Sequence, residues 1–142
     1  MGYGEFCMTD IYLEYCLDGY HLIKMYIDSY SALTAKLDQI RIEAAELFPA
    51  VFCVDIVIKN TGRLAIGLDD KSMLMYTSED FEESLTSLGD RTAQGETMFY
   101  SGDYCLMSNK YIISYANAME VVKTWFYERK ISDIVEWADV LY

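Results

Sequence analysis

The residues in this chain best equipped to act on another molecule are carboxylates. Asp69, Asp70, Glu79, Asp80, Glu82, Glu83 and Asp90 crowd into positions 69 to 90, where Lys71 is the one cation. That span holds half of the formal net charge of −12. It lacks the Asp-x-Asp/Asn-x-Asp/Asn-Gly spacing of a calcium loop. Two readings remain: a solvated loop that keeps the protein dissolved, or an acidic lip that meets the basic surface of a partner. Tyrosines add a second set of candidates. Tyr76 and Tyr104, with Tyr100, Tyr111 and Tyr115, lie on or beside predicted strands, where alternation turns about half of the side chains outward. An exposed tyrosine ring supplies binding area at low entropic cost.

No catalytic constellation is legible in the sequence. The single histidine, His21, falls inside a predicted strand. There is no His-x-Glu with a following Pro-Cys-x-x-Cys, as a zinc deaminase requires, and no phosphate loop or nucleophile elbow. Cys7, Cys16, Cys53 and Cys105 are widely spaced and contain no Cys-x-x-Cys. Each borders an apolar or aromatic run, so they read as reduced core or near-core residues. The expectation is a non-enzyme without metal or cofactor. The net charge of −12 disfavours nucleic acid and anionic membrane as partners and suits a basic protein. No signal peptide is visible and the longest apolar run, Ala50–Val54, is far too short to cross a bilayer, which points to the cytoplasm.

At 142 residues the chain suits one domain spanning 1–142, able to bury about two thirds of the surface its unfolded form exposes. After a frayed lead-in over the first ten residues, Ile11–Leu17 and Tyr20–Ile27 are β-rich runs joined by Asp18-Gly19, a two-residue hairpin signal. Leu33, Leu37, Ile40, Ala44 and Leu47 keep helical spacing behind the N-cap candidates Asp28–Ser31, and Pro49 ends that helix. Val51–Lys59, Arg63–Leu68 and Met73–Thr77 form a meander with short turns. The polar stretch 78–95 reads as a loop or a short helical turn. Thr97–Ser101 and Tyr104–Met107 make a hairpin around Gly102-Asp103. Ser114 then caps a second helix with Ala118, Val121, Val122, Trp125 and Phe126 on one face, and Ile134–Val140 alternates as a strand around Trp137. The expected fold is α+β: a mainly antiparallel sheet of meander and hairpins with two amphipathic helices packed on one face.

The order of Phe99, Tyr100, Gly102, Tyr111, Ile113, Tyr115, Ala118, Val121, Val122, Glu136 and Trp137 carries a likeness. Arg63–Leu68, Leu74–Tyr76 and Leu88–Asp90 continue it upstream, so that it covers most of the chain. This pattern resembles immunity-protein family one of bacterial polymorphic toxin systems. The resemblance implies an inhibitor that neutralises a cognate toxin domain, often a nucleic-acid deaminase, by occluding its active site. Two other readings suit the composition. One is an acidic nucleic-acid mimic that inhibits DNA-binding enzymes. The other is a small-ligand domain or enzyme whose site residues are scattered in sequence.

Overall fold

The computed structural model describes residues 10–139. Most of the expected lead-in, Cys7 and the end of the last predicted strand at Val140 lie outside them. At the centre is β3, Val51–Ile58, buried along nearly its whole length. Phe52, Val54, Ile56 and Ile58 turn to one face and join a core with both helices, while Val51 and Cys53 turn to the other. A strand buried on two faces reads as a continuous apolar run, and Asp55 is its only interruption.

On one side of β3 the meander continues through β4 (Gly62–Gly67), β6 (Leu74–Ser78), β7 (Ser84–Leu88) and β11 (Glu136–Ala138), all antiparallel. Gly62 permits the tight β4–β6 pairing: its φ is 150°, and a Cβ there would stand 2.4 Å from the Thr77 carbonyl oxygen. The other edge of β3 is shared. β1 (Ile11–Tyr15) pairs with residues 55–58 and carries β2 (Ile23–Tyr26) outside it. β8 (Glu96–Tyr100) pairs in parallel with Val51 and Phe52, and carries β9 (Tyr104–Ser108). Two-residue strands β5 (Lys71–Ser72) and β10 (Ile113–Ser114) form a separate bridge. The sheet is thus mainly antiparallel, with one parallel junction.

Helix α1 (Tyr30–Leu47) starts where the Ser29 hydroxyl accepts from the Ala32 amide. Leu33, Leu37, Ile40 and Ala44 are its buried stripe. Leu47, expected on that stripe, is 56% exposed. The chain leaves the helix at Phe48, whose ring instead stacks on Phe52 and Tyr100. Helix α2 (Tyr115–Glu128), capped by Ser114, buries Ala118, Val121, Val122 and Trp125. Phe126 is only half-buried, because it lies beside that stripe against Tyr30 and Tyr127. Both helices cover the same face, as expected. No helix among the described residues is long and apolar enough to cross a membrane.

Five local expectations need correction. The β1–β2 connection is not a two-residue turn, since Tyr15 pairs with Ile23. The Asp18 carboxylate accepts from the amides of Tyr20 and His21 and contacts the His21 imidazole, closing a longer loop. His21 therefore stands exposed in that loop rather than in a strand. The polar stretch 78–95 contains β7, in which Thr86 and Ser87 are buried. The Ser87 hydroxyl accepts from the Leu74 amide and donates to the Tyr111 carbonyl, so burial leaves it satisfied. The final strand is shorter than predicted, with Ile134 exposed ahead of it. Of the described cysteines, all free, only Cys53 is buried; Cys16 is half-buried and Cys105 exposed at the outer strand of its hairpin.

Candidate functional site

An antiparallel meander puts successive turns at opposite ends of its strands, and this divides the acidic segment. Asp69 and Asp70 sit in the turn after β4, where the Arg41 guanidinium of α1 lies 3.7 and 2.9 Å from them. Asp90 follows β7 at the same end and is engaged locally, accepting from the Thr92 amide and hydroxyl, which lowers its pKa. Glu79, Asp80, Glu82 and Glu83 occupy the β6–β7 turn at the far end. Asp80 organises that turn, accepting from the Glu82 amide and the Ser78 hydroxyl, and these bonds hold its pKa low. Phe81 stands at the tip, 75% exposed with φ of 62°. The seven carboxylates therefore form two separate groups.

The tyrosines divide as well. Tyr76 turns toward the helices and packs edge-on against Trp125 with ring centroids 5.7 Å apart. Burial raises its pKa, with Glu83 and Asp80 adding to the effect. Tyr100 is buried, and Tyr111 and Tyr115 are half-buried. Tyr104 alone of the five is largely exposed, its ring 4.9 Å from Tyr100.

What brings side chains together is the face of the sheet that the helices leave uncovered. Strand pairing ranks Glu14, Asp55, Ala65, Met75 and Thr86 across it in one row, and Tyr12, Val57, Arg63, Thr77 and Ser84 in the next. Three adjoining depressions occupy this face. The first, about 380 Å³, lies between the sheet and the β8–β9 hairpin, over Cys53, Met73, Met75, Phe99, Cys105 and Met107. The second, about 460 Å³, runs from Tyr12 and Val57 past Arg63 to Glu79 and Phe81. The third, about 200 Å³, opens beside Glu14, Cys16 and Leu22. Arg63 borders the first two, and Asp55 and Cys53 border the first and third.

Where the depressions meet, the Arg63 guanidinium donates to Asp55 at 2.6 Å and to Glu14 at 3.1 Å. Burial raises the Asp55 pKa, and the pull of Arg63 offsets only part of that rise. Beyond this cluster, Lys24 and Lys59 lie over the rings of Tyr12 and Tyr26. Chemically, the face offers apolar and sulfur-lined hollows with fixed charge between them. Burial pushes the Cys53 thiol up to about 12, which leaves it an inert packing group. Among the described residues no three His, Cys, Asp or Glu side chains are grouped to share a metal ion.

No family model matches the chain, and no curated protein matches it. The likeness to immunity proteins thus rests on residue order and spacing alone. Sequence reasoning singled out the carboxylates of positions 69–90 as one segment, which the structure divides in two, and missed the Glu14–Asp55–Arg63 cluster and the sulfur-lined hollow. A signal was present for the first: Asp55 is the lone charge in an otherwise apolar strand, and Arg63 opens the next strand at a position that pairing brings close. The hollow depends on β8 pairing across the sheet, for which no local pattern exists.

Proposed function

We propose that this chain is an immunity-type inhibitor: a non-enzymatic protein that binds a basic cognate toxin domain and occludes its active site. The observation that carries the reading is the helix-free sheet face, an extended and partly apolar surface bordered at Glu79–Glu83 by carboxylates and an exposed phenylalanine. The net charge of −12 adds long-range attraction for a cationic partner, and complementary charge raises association rates by about 10- to 1,000-fold. Tight binding is demanded because one free toxin molecule turns over many substrates. A nucleic-acid-acting toxin fits best, since its substrate channel must itself be basic. The cytoplasm is where such a toxin would be met.

The test is to purify the protein encoded by the neighbouring gene and measure its binding and its activity with and without this chain. A stoichiometric complex that silences the toxin is expected; no complex at micromolar concentrations would reject the reading. A charge variant then tests the border. Changing Glu79, Glu82 and Glu83 together to Gln removes three negative charges without disturbing the Asp80 bonds that shape the turn. Association should slow by roughly tenfold at low salt, and the difference should vanish near 1 M salt, where the Debye length is about 3 Å. Equal rates at every ionic strength would remove this turn from the binding surface.

A further inference from the structure

The outer strand of the β8–β9 hairpin has an edge that no other described strand pairs. Among the described residues β9 pairs only with β8. The Ser101 amide donates to Asp103 and the Asn109 amide to Gly95, which fixes the hydrogen-bonded positions of the hairpin as the odd-numbered ones. In an antiparallel ladder the two kinds of pair alternate. The backbone groups of Cys105 and Met107 therefore point at β8, and those of Tyr104, Leu106 and Ser108 point away from the sheet. The strand sequence Tyr-Cys-Leu-Met-Ser has no charge and no proline, the devices that normally blunt an exposed edge. Tyr104 and Leu106 are 52% and 53% exposed. On the opposite face of the same strand, Cys105 and Met107 line the hollow over Met73 and Met75.

We infer that β9 is a strand-addition site, taking one extended, β-branched segment of a cationic protein as a further strand of the hairpin. The inference rests on the reading above that this chain binds a basic partner, and it names how part of that partner docks. Main-chain bonds to the outward groups at 104, 106 and 108 supply the pairing. Alternate guest side chains lie beside Cys105 and Met107 at the mouth of the hollow and beside Tyr104 and Leu106 outside it. A second copy of this chain is the less suitable occupant, because two bodies of net charge −12 repel. Asp103, just ahead of the strand, and Glu96, paired with Ser108 at its far end, are exposed carboxylates that offer a guest cation counter-charge.

The probe is a synthetic peptide, Lys-Lys-Val-Thr-Val-Thr-Val-Lys-Lys, and the readout is amide hydrogen exchange of the full chain. Saturating peptide should slow exchange at Leu106 and Ser108 at least tenfold, while a copy N-methylated at its five central residues should not. Leu106→Pro removes an outward amide and leaves the inner ladder intact, so it should weaken peptide binding at least tenfold. Leu106→Lys, a milder change at an exposed position, should weaken it through charge repulsion. Unslowed amides, or a Leu106→Pro variant that binds like wild type, would overturn the inference. So would amides already protected without peptide: a dependence on protein concentration would assign the edge to a second copy, and its absence to another segment of the same chain. The peptide experiment needs no toxin, so its failure and the failure of the immunity reading are told apart.

Discussion

Replacing Trp125 with alanine is expected to cost about 3–5 kcal/mol of folding stability, the range for removing a large buried aromatic. Trp125 is 0% exposed, and its indole nitrogen donates to the Ile56 carbonyl of the central strand at 3.0 Å. Truncation opens a cavity between α2 and the sheet and removes the edge contact with Tyr76. Trp125→Phe should retain much of the packing and lose the hydrogen bond, so it should fall between wild type and alanine. Urea unfolding at pH 7 measures both variants. A loss well under 1 kcal/mol for alanine would mean that α2 does not pack on β3 through this residue. Phe126→Ala should cost less than Trp125→Ala, because Phe126 lies at the border of the core.

The second large effect concerns Arg63. Arg63→Leu leaves Asp55 and Glu14 facing one another without their cation, and breaking a buried pair typically costs about 3–5 kcal/mol. The Arg63 side chain is 35% exposed, so solvent screening reduces the expected loss to about 2–3 kcal/mol at pH 7. The pH dependence has a definite sign. A raised folded-state pKa means that the folded chain holds the Asp55 proton more tightly than the unfolded chain does. The associated stability is present below the unfolded pKa and is lost as pH rises through the folded one. Removing Arg63 takes away the influence that opposed the rise, so the Asp55 pKa moves further up. The variant should consequently recover toward wild type as pH falls from 7 toward 4.5. Denaturation midpoints that differ equally at both pH values would show that Asp55 does not titrate in that window.

The parts of this fold legible in the sequence were those governed by local periodicity. The α2 stripe from Ala118 to Trp125, the α1 stripe through Ala44, the Ser114 cap and an α1 cap within Asp28–Ser31, which the structure assigns to Ser29, follow from the helical repeat and from side chains bonding nearby amides. The meander followed from β-branched runs separated by short turns. Three features depended on something no local window contains. Ser84–Leu88 looks like a polar loop, yet it is a strand because Ser87 finds partners in Leu74 and in the distant Tyr111. The Asp18-Gly19 signal was real, but a carboxylate able to accept from two amides and the His21 ring enlarged the turn around itself. The acidic segment looked continuous because charge was counted along the chain, whereas the meander sends its halves to opposite ends. An open face was implied by two helices packed on the other one, but its hollows were not legible, because alternation says which residues share a face and not what a distant hairpin will enclose there.

The shared edge of β3 has a consequence for the order in which the molecule assembles. β3, β4, β6 and β7 pair with near neighbours in sequence, so their contacts close short loops. The parallel junction of Val51 and Phe52 with Phe99 and Tyr100 joins segments separated by the entire meander. Its loop-closure entropy must be overcome before the contact returns anything, which places it late. During refolding, pulse-labelled exchange should protect the Val54 amide before that of Tyr100, which faces β3 at the junction; simultaneous protection would refute this order. In the interval, the Val51 end of the most apolar strand stands unpaired on that side. Refolding yield should therefore fall with rising protein concentration, even though the finished molecule is strongly self-repelling.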